Sequence, residues 1–249
     1  MTVQSPGVHL LAGIDQTSGA VLVQQNVSEK HKEITYFKLL LDGIKDLNGV
    51  IVSADALHTQ REHAEYLHSR GGHYVLTVKA NQRKLHDQFR ALPWKQVRAG
   101  NRTRESANGR EIERTVRCVS LADGISFPHA AQAAQIIRQS RPLGTRKWST
   151  ETVYIITSLA PAQGKPELIG SLIRGHWGIE NGLHWRRDLT WREDKSTVRR
   201  GNAPRVVASL RNIAITILRL DGETSLAKAT RGARNYPHRA LKLAGLTTS

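Results

Sequence analysis

Cysteine is almost absent from this 249-residue sequence, because Cys118 is the only one. A single thiol can form neither an intramolecular disulfide nor a multi-thiolate metal site, which is typical of a reducing compartment. No apolar run approaches the roughly 20 residues of a membrane-spanning helix. The short segment VHLLAGI ends at Asp15 and has no basic leader before it. We therefore expect a cytoplasmic protein that is neither secreted nor inserted into a membrane.

Acidic side chains are also scarce, with 21 Asp and Glu against 37 Lys and Arg, so the formal net charge is +16. Residues 1–80 carry 7 basic and 8 acidic side chains, a net charge of −1, and the remaining 169 residues therefore carry +17. A basic region of this size favours a polyanionic partner, and nucleic acid is the usual one. Charge alone does not separate DNA binding from ribosomal-type RNA binding or from simple solubility.

The first 94 residues alternate between strand and helix patterns. Residues 8–14 and 20–27 predict an antiparallel hairpin with Asp15 in its turn. A helix capped by Ser28 follows, and its inward positions are Ile34, Phe37, Leu40 and Leu41. Residues 56–70 predict a further helix that ends at Gly71 and Gly72, and residues 83–92 another.

Asp55 follows the short apolar strand formed by residues 50–52. The carboxyl ends of strands are where open α/β sheets usually bind ligands and metals. The alternative is that Asp55 simply caps the helix after it. A second apolar strand, HYVLTV, leads to Lys79, Asn81 and Gln82, which are either near a bound ligand or solvated turn residues.

Residues 95–160 alternate in a β-type pattern over three runs, 113–121, 133–140 and 151–159, which residues 100–111 and 141–148 separate. Between residues 81 and 151 there are 14 Lys and Arg against 6 Asp and Glu. We expect basic side chains here to contact a nucleic-acid backbone, with a solvated basic hairpin as the alternative.

The segment HWGIENGLHWRRDLTWRED, residues 176–194, holds the densest group of polar and aromatic side chains. At 100° per residue, one helix face carries Glu180 with His176, His184 and Arg187. Gly175, Gly178 and Gly182 lie on the opposite face, which suggests that the helix packs closely against another element. Core packing and a solvated, ion-paired face are the alternatives.

A zinc site formed by His176, Glu180 and His184 is disfavoured, because HExxH is absent and these residues spread over about 12 Å of helix.

Downstream, basic residues that include Arg199 and Arg200 precede a helix opened by Asn202 and Pro204. Its apolar positions recur at helical spacing and predict a core helix: Val206, Val207, Leu210, Ile213, Ile217 and Leu218.

The string HW-x-IEN-x-LHW, followed by D, ED, a basic segment and N-A-P, resembles the C-terminal signature of DDE transposases. The resemblance extends to Asp55, Ala56 and Gln60 and to the K-x-NQ string, and is to bacterial insertion-sequence transposases of the ISAs type, also called H-repeat-associated proteins. It covers nearly the whole chain. In that family Asp55 and Glu180 match the second and third metal-binding carboxylates.

The resemblance implies an α/β fold, namely an RNase H-like mixed sheet flanked by helices, with a β-rich insertion between the second and third acidic motifs. The corresponding regions are a first part of the catalytic core over residues 1–94, the basic insertion over 95–160, and a helical part of the core over 161–249. The family's first Asp, in a D-G-K context on a strand before the hairpin, has no counterpart here. We therefore expect that the N-terminal part and the first central strand are missing.

The function implied is metal-dependent DNA cleavage and strand transfer of an insertion sequence, in the bacterial cytoplasm at the nucleoid. Mg²⁺, with Mn²⁺ as a substitute, would be bound by Asp55 and Glu180. The expected partners are the terminal repeats of the element, target DNA and further copies of the chain. Residues expected at the DNA are Lys79, Asn81, Gln82, His176, Arg187, Arg199 and Arg200. The alternative is a truncated, inactive transposase that still binds DNA.

Overall fold

The computed structural model describes residues 9–27, 33–121, 125–179, 202–223 and 225–246. The chain divides into two compact units. One unit comprises residues Met1–Lys45 and Trp177–Ser249, and the other comprises residues Asp46–His176. The boundaries predicted at residues 94 and 160 stay predictions.

Eight strands and seven α-helices are found in the described residues. The strands are β1 (His9–Ile14), β2 (Val21–Val27), β3 (Ile51–Ala54), β4 (His73–Val78), β5 (Asn101–Ala107), β6 (Arg110–Ser120), β7 (Gln132–Pro142) and β8 (Ser149–Thr157). The helices are α1 (Glu33–Leu41), α2 (Arg61–Ser69), α3 (Arg83–Ala91), α4 (Pro166–Ile179), α5 (Ala203–Leu220), α6 (Leu226–Asn235) and α7 (Pro237–Leu243).

The unit of residues 46–176 contains a six-stranded mixed sheet in the order β3-β4-β8-β7-β6-β5. Strands β3 and β4 are parallel, with helix α2 between them in the chain, whereas β4 pairs with β8 antiparallel. The strands of the basic segment thus continue the same sheet. The mixed α/β class and the β-rich character of this segment are therefore confirmed.

The sequence predicts three strands in this segment and misses a fourth. Residues 100–111, expected to separate strands, contain β5 and the start of β6. Strands β5 and β6 pair antiparallel and are joined at Asn108 and Gly109, which both have positive φ, 51° and 71°. Asn-Gly is the preferred sequence for such a two-residue hairpin turn. Nearly all side chains of β5 are polar, and only their exposure alternates along the strand. Hydrophobic periodicity therefore did not predict this strand.

The other unit contains the predicted hairpin, in which β1 and β2 are antiparallel. The Asp15 carboxylate accepts hydrogen bonds from the Ser18 amide at 2.9 Å and from its hydroxyl. Asp15 therefore stabilises the turn, as predicted. On α1, Phe37, Leu40 and Leu41 are buried as predicted and Ile34 is half-buried, while Ser28 lies outside the described residues.

The predicted inward face of α5 is wrong at three of its six positions, whereas Leu218 packs against the buried Ile215 and Leu226 as predicted. Val206, Leu210 and Ile213 are 53, 57 and 54% exposed, whereas Ala208, Asn212 and Ile215 are buried. Polar contacts from the hairpin determine this orientation: the Asn212 amide donates to the Gln24 side-chain oxygen at 2.7 Å, and the Gln24 amide donates to the Ser209 hydroxyl at 2.8 Å.

Across the part of the chain that the structure describes, no helix is both long enough and apolar enough to cross a membrane.

Tyr74 provides a test of the sheet core. It is fully buried on β4, which lies between β3 and β8 in the sheet, and its hydroxyl donates to the Pro128 carbonyl at 2.6 Å. We expect Tyr74→Phe to lower the free energy of unfolding by about 1–2 kcal/mol, because a buried carbonyl loses its donor. The matched control is Tyr236→Phe at a 61% exposed position, which should change it little. Equal effects of the two substitutions in urea unfolding would contradict this packing.

Candidate active site

Asp55 and Lys79 meet where two neighbouring strands end. Asp55 directly follows β3 and Lys79 directly follows β4. Because these strands are parallel, both carboxyl ends lie at one edge of the sheet. The Lys79 Nζ donates to Asp55 Oδ1 at 2.8 Å, and the Asp55 side chain is 41% exposed. The structure thus brings together two of the residues selected from the sequence.

The amide side chains after Lys79 hold the Asp55 turn. Asn81 Nδ2 donates to the Ala56 carbonyl at 2.9 Å, and Gln82 Nε2 donates to the Thr59 carbonyl at 2.8 Å. The K-x-NQ string therefore links the end of β4 to the loop that carries Asp55. The side-chain amides of Asn81 and Gln82 thus donate to backbone carbonyls of the protein. Their direct contacts with DNA stay predictions.

The helix predicted to begin directly after Asp55 is interrupted. Residues Ala56–His58 form a single 3₁₀ turn, and α2 begins only at Arg61. Thr59 breaks the helix, because its hydroxyl donates to the Thr77 carbonyl of β4 at 2.6 Å and fixes the chain against the sheet. The Asp55 side chain makes no capping hydrogen bond to this turn, so the helix-cap alternative is not supported.

His176 lies near the same edge. Helix α4 buries Ile169 and Ile173 completely, and His176, three residues after Ile173, continues that face. Its Nδ1 lies 3.4 Å from the Ser53 hydroxyl of β3, two residues before Asp55. Gly178 does not lie against another element, since a Cβ added there would meet nothing within 4 Å. The close packing inferred from glycine spacing is therefore wrong at this position.

The Asp55 carboxyl is stabilised in its charged form. Burial alone would raise its pKa, but the Lys79 hydrogen bond and charge, the Ala56 amide and the charge of His176 together hold the pKa below its ordinary value. The carboxylate is consequently ionised at neutral pH and already attracts one cation. These are the properties that a ligand of a hard divalent cation requires.

Two histidines missed in the sequence lie behind this carboxylate. His58 and His63 are buried, and their ring centroids are 5.6 Å apart. The His63 Nδ1 lies 3.1 Å from the His58 carbonyl. Burial and the charge of His63 lower the pKa of His58 to about 4, so it is neutral near pH 7. The signal in the sequence was the string DALHTQREH, which places His58 three residues after Asp55.

A metal centre assembled from three or more His, Cys, Asp or Glu side chains is not found in the described part of the chain. Asp55 nevertheless fits a divalent ion, because its accessible carboxylate oxygen already accepts a cationic group. Glu180, Arg187, Arg199 and Arg200 lie outside the described residues. Among the selected residues, the structure therefore places Asp55, Lys79, Asn81, Gln82 and His176.

Residues 4–217 match the family model described as the transposase DDE domain. The chain is 29% identical over 254 residues both to the protein named "Putative protein YbfL" and to the "H repeat-associated putative transposase YhhI", both of Escherichia coli K12. Each match covers 96% of this chain and 67% of the relative. A piggyBac transposase synaptic complex with hairpin DNA matches with a TM-score of 0.46 and 12% identity, covering 84% of this chain and 40% of that chain.

The neutral state of His58 predicts a pH dependence of stability. Below about pH 6.5 the unfolded chain takes up a proton at His58 that the folded chain does not, until about pH 4. The free energy of unfolding should therefore fall by about 3 kcal/mol across this range. The effect disappears as the pH rises past about 7.5, where His58 is neutral in both states.

Urea unfolding at pH values from 4 to 7.5 measures this dependence. His58→Gln should remove this contribution, while the same replacement at the exposed His238 should keep the wild-type profile. An unchanged profile for His58→Gln would show that His58 titrates alike in the folded and unfolded chain.

Proposed function

This chain belongs to the family of transposase DDE domains, and on that premise we propose that it is part of the catalytic machinery with which an insertion sequence is cut and joined to new DNA. The relatives YbfL and YhhI extend beyond the matched region, which covers 67% of their length. The cleavage and strand-transfer activity of the whole transposase is therefore part of the proposal.

The position of Asp55 carries the proposal. Its ionised carboxylate lies at the carboxyl end of β3, beside the end of the parallel strand β4, and it binds the ammonium of Lys79. Carboxylate oxygens at such an edge are suitable ligands for Mg²⁺, which prefers hard oxygen donors and keeps several waters. The order hairpin, helix α1, β3, α2 and β4 also agrees with the RNase H-like core expected for this family.

Glu180 is the second proposed ligand. It follows His176 by four residues, the spacing of about one helical turn, and His176 lies near Ser53 of β3. This spacing supports a common site for the carboxylates of Asp55 and Glu180. When bound there, Mg²⁺ or Mn²⁺ would activate the attacking water or 3′-hydroxyl and neutralise the leaving oxygen.

Four further residues would balance the charge of the Asp55 carboxylate, hold its loop in place or contact the DNA. Lys79 balances the charge of Asp55, and Asn81 and Gln82 fix the loop on which Asp55 lies. His176 adds positive charge when protonated and lies beside the strand that leads to Asp55. Lys79 is well placed to contact a DNA phosphate, since its side chain is 58% exposed.

DNA is the proposed partner, and the charge of +16 supports it. Several arginines of the sheet already pair with glutamates, as Arg114 does with Glu105 and Arg141 does with Glu111. We therefore assign phosphate contacts to exposed cations outside these pairs, which are Arg146 and Lys147 among the described residues and Arg187, Arg199 and Arg200 by sequence. Lys79 is added because its side chain is 58% exposed although it pairs with Asp55. His176 is retained as a DNA contact only as a prediction.

A carboxylate substitution test separates this proposal from the alternative of an inactive DNA-binding remnant. The whole transposase that contains this chain should nick supercoiled plasmid bearing the element ends when Mg²⁺ is present. Asp55→Asn and Glu180→Gln should each lower the nicking rate on the order of 100-fold or more, because a metal ligand is lost. Filter binding of the same DNA should persist in both variants.

Asp15→Asn is the matched control, since Asp15 bonds to its own turn and should retain nicking. Nicking that persists in Asp55→Asn would remove the proposed metal role. DNA binding without nicking by the unsubstituted transposase would favour the inactive remnant.

A further inference from the structure

Lys79 holds the carboxylate that a divalent ion would also bind. Its Nζ lies 2.8 Å from Asp55 Oδ1, and both side chains are partly exposed. Each residue directly follows one of two parallel strands, so the pair lies at the carboxyl edge of the sheet. Asp55 is the ligand that the proposed function assigns to Mg²⁺. The ammonium and the metal ion are therefore competitors for one carboxylate.

The two cations would repel each other at this position. An ion bound by Asp55 would lie close to the Lys79 ammonium, because both contact the same carboxylate. At equal separation, a dication repels an ammonium twice as strongly as a monovalent cation does. Burial acts to raise the pKa of Asp55, whereas the Lys79 hydrogen bond and charge lower it, so the ammonium already neutralises part of the charge that a metal ion would use. Tight binding of the ion therefore requires the ammonium to leave.

The Lys79 side chain can leave while its backbone stays in place. The Gln82 amide donates to the Lys79 carbonyl at 3.0 Å, and the Asn81 and Gln82 side chains tie this turn to the loop after β3. Val78, directly before Lys79, is buried. The ammonium, by contrast, is carried on a flexible four-carbon stem, and exposed ion pairs contribute little to stability. Movement of this one side chain is therefore sufficient for the exchange.

We propose that Lys79 exchanges partners, binding Asp55 in the metal-free protein and a DNA phosphate once a divalent ion has taken its place. The inference rests on the proposed function, because the phosphate to be cleaved has to reach the ion that Asp55 binds. An ammonium released beside that ion is close to the same stretch of DNA backbone, and Lys is a common phosphate-binding residue.

The exchange couples the two ligands of the site. A divalent ion frees Lys79 for DNA, and DNA that holds Lys79 leaves Asp55 free for the ion. Coupling between two binding equilibria is reciprocal, so each ligand should raise the affinity for the other by the same factor. Lys79 thereby favours DNA binding at this edge when the metal is present.

DNA binding without metal tests the exchange through Lys79 alone. In buffer that contains EDTA, Asp55→Asn should bind a duplex carrying the element end about fivefold more tightly than the unsubstituted protein, because Lys79 is no longer held by an ion pair. In a Lys79→Met background, the same Asp55→Asn change should have little effect. Fluorescence anisotropy at constant ionic strength measures the four dissociation constants.

Two results of this cycle would overturn the proposal. A gain from Asp55→Asn that is equally large in the Lys79→Met background would come from the lost negative charge alone. The absence of any gain would show that the ion pair does not restrain Lys79. Circular dichroism should show all three variants folded, because both side chains are partly exposed.

Mn²⁺ binding in the absence of DNA provides the second readout, with free Mn²⁺ measured by electron paramagnetic resonance. Lys79→Met should bind Mn²⁺ about fivefold or more tightly than the unsubstituted protein, because the competing ammonium is gone. Lys79→Arg keeps a cation and should bind no more tightly. Lys84→Met is the matched control, since it removes an exposed ammonium from α3, and it should leave the affinity unchanged. An equal increase in Lys79→Met and Lys84→Met would contradict the proposal.

The exchange and the metal role of Asp55 can fail separately in this experiment. Mn²⁺ binding that Asp55→Asn abolishes but Lys79→Met does not strengthen would overturn the exchange and keep Asp55 as a ligand. Mn²⁺ binding that is unaffected by Asp55→Asn would overturn both.

Discussion

The ion pair between Asp55 and Lys79 is the interaction on which the candidate site depends. It exists because β3 and β4 are parallel, so the residues that follow them emerge at the same edge of the sheet. The buried positions of β4 fix that edge, and the ammonium lowers the pKa of the Asp55 carboxyl, which burial acts to raise. A divalent ion bound by Asp55 would compete with this ammonium for the same oxygen, which would release Lys79 toward an anionic substrate.

The contacts around the ion pair are directed inward and make the loop rigid. Thr59, Asn81 and Gln82 each donate to a backbone carbonyl, so the segments after β3 and β4 are tied together. The side chains of Lys79 and Asp55, by contrast, are 58 and 41% exposed. A rigid support of this kind is what holds a reactive carboxylate at a fixed position relative to a metal ion.

The sequence predicted the elements whose patterns are local. The hairpin, α1, β3, β4 and the position of Asp55 follow from apolar runs and turn residues that act over a few neighbours. Prediction from local sequence patterns failed where contacts between residues far apart in the sequence decide the structure. Thr59 interrupts a helix because of Thr77, and the polar strand β5 is held by its partner β6, although Asn108 and Gly109 could have indicated the turn. Periodicity identified α5 as a helix, but Gln24 decides which face is buried. The motif match identified Glu180, whose place beside Asp55 remains a prediction from helical spacing.

The central claim is that the carboxylates of Asp55 and Glu180 bind one divalent ion. Iron-directed cleavage of the chain measures this directly, because Fe²⁺ substituted for Mg²⁺ reduces added hydrogen peroxide to hydroxyl radicals, with ascorbate returning Fe³⁺ to Fe²⁺, and these radicals cut the backbone within a few ångströms of the bound ion. Our account predicts two cuts, one near residue 55 and one near residue 180, and the loss of both in Asp55→Asn. A cut near residue 180 that survives Asp55→Asn, or cleavage at only one of the two positions, would contradict it.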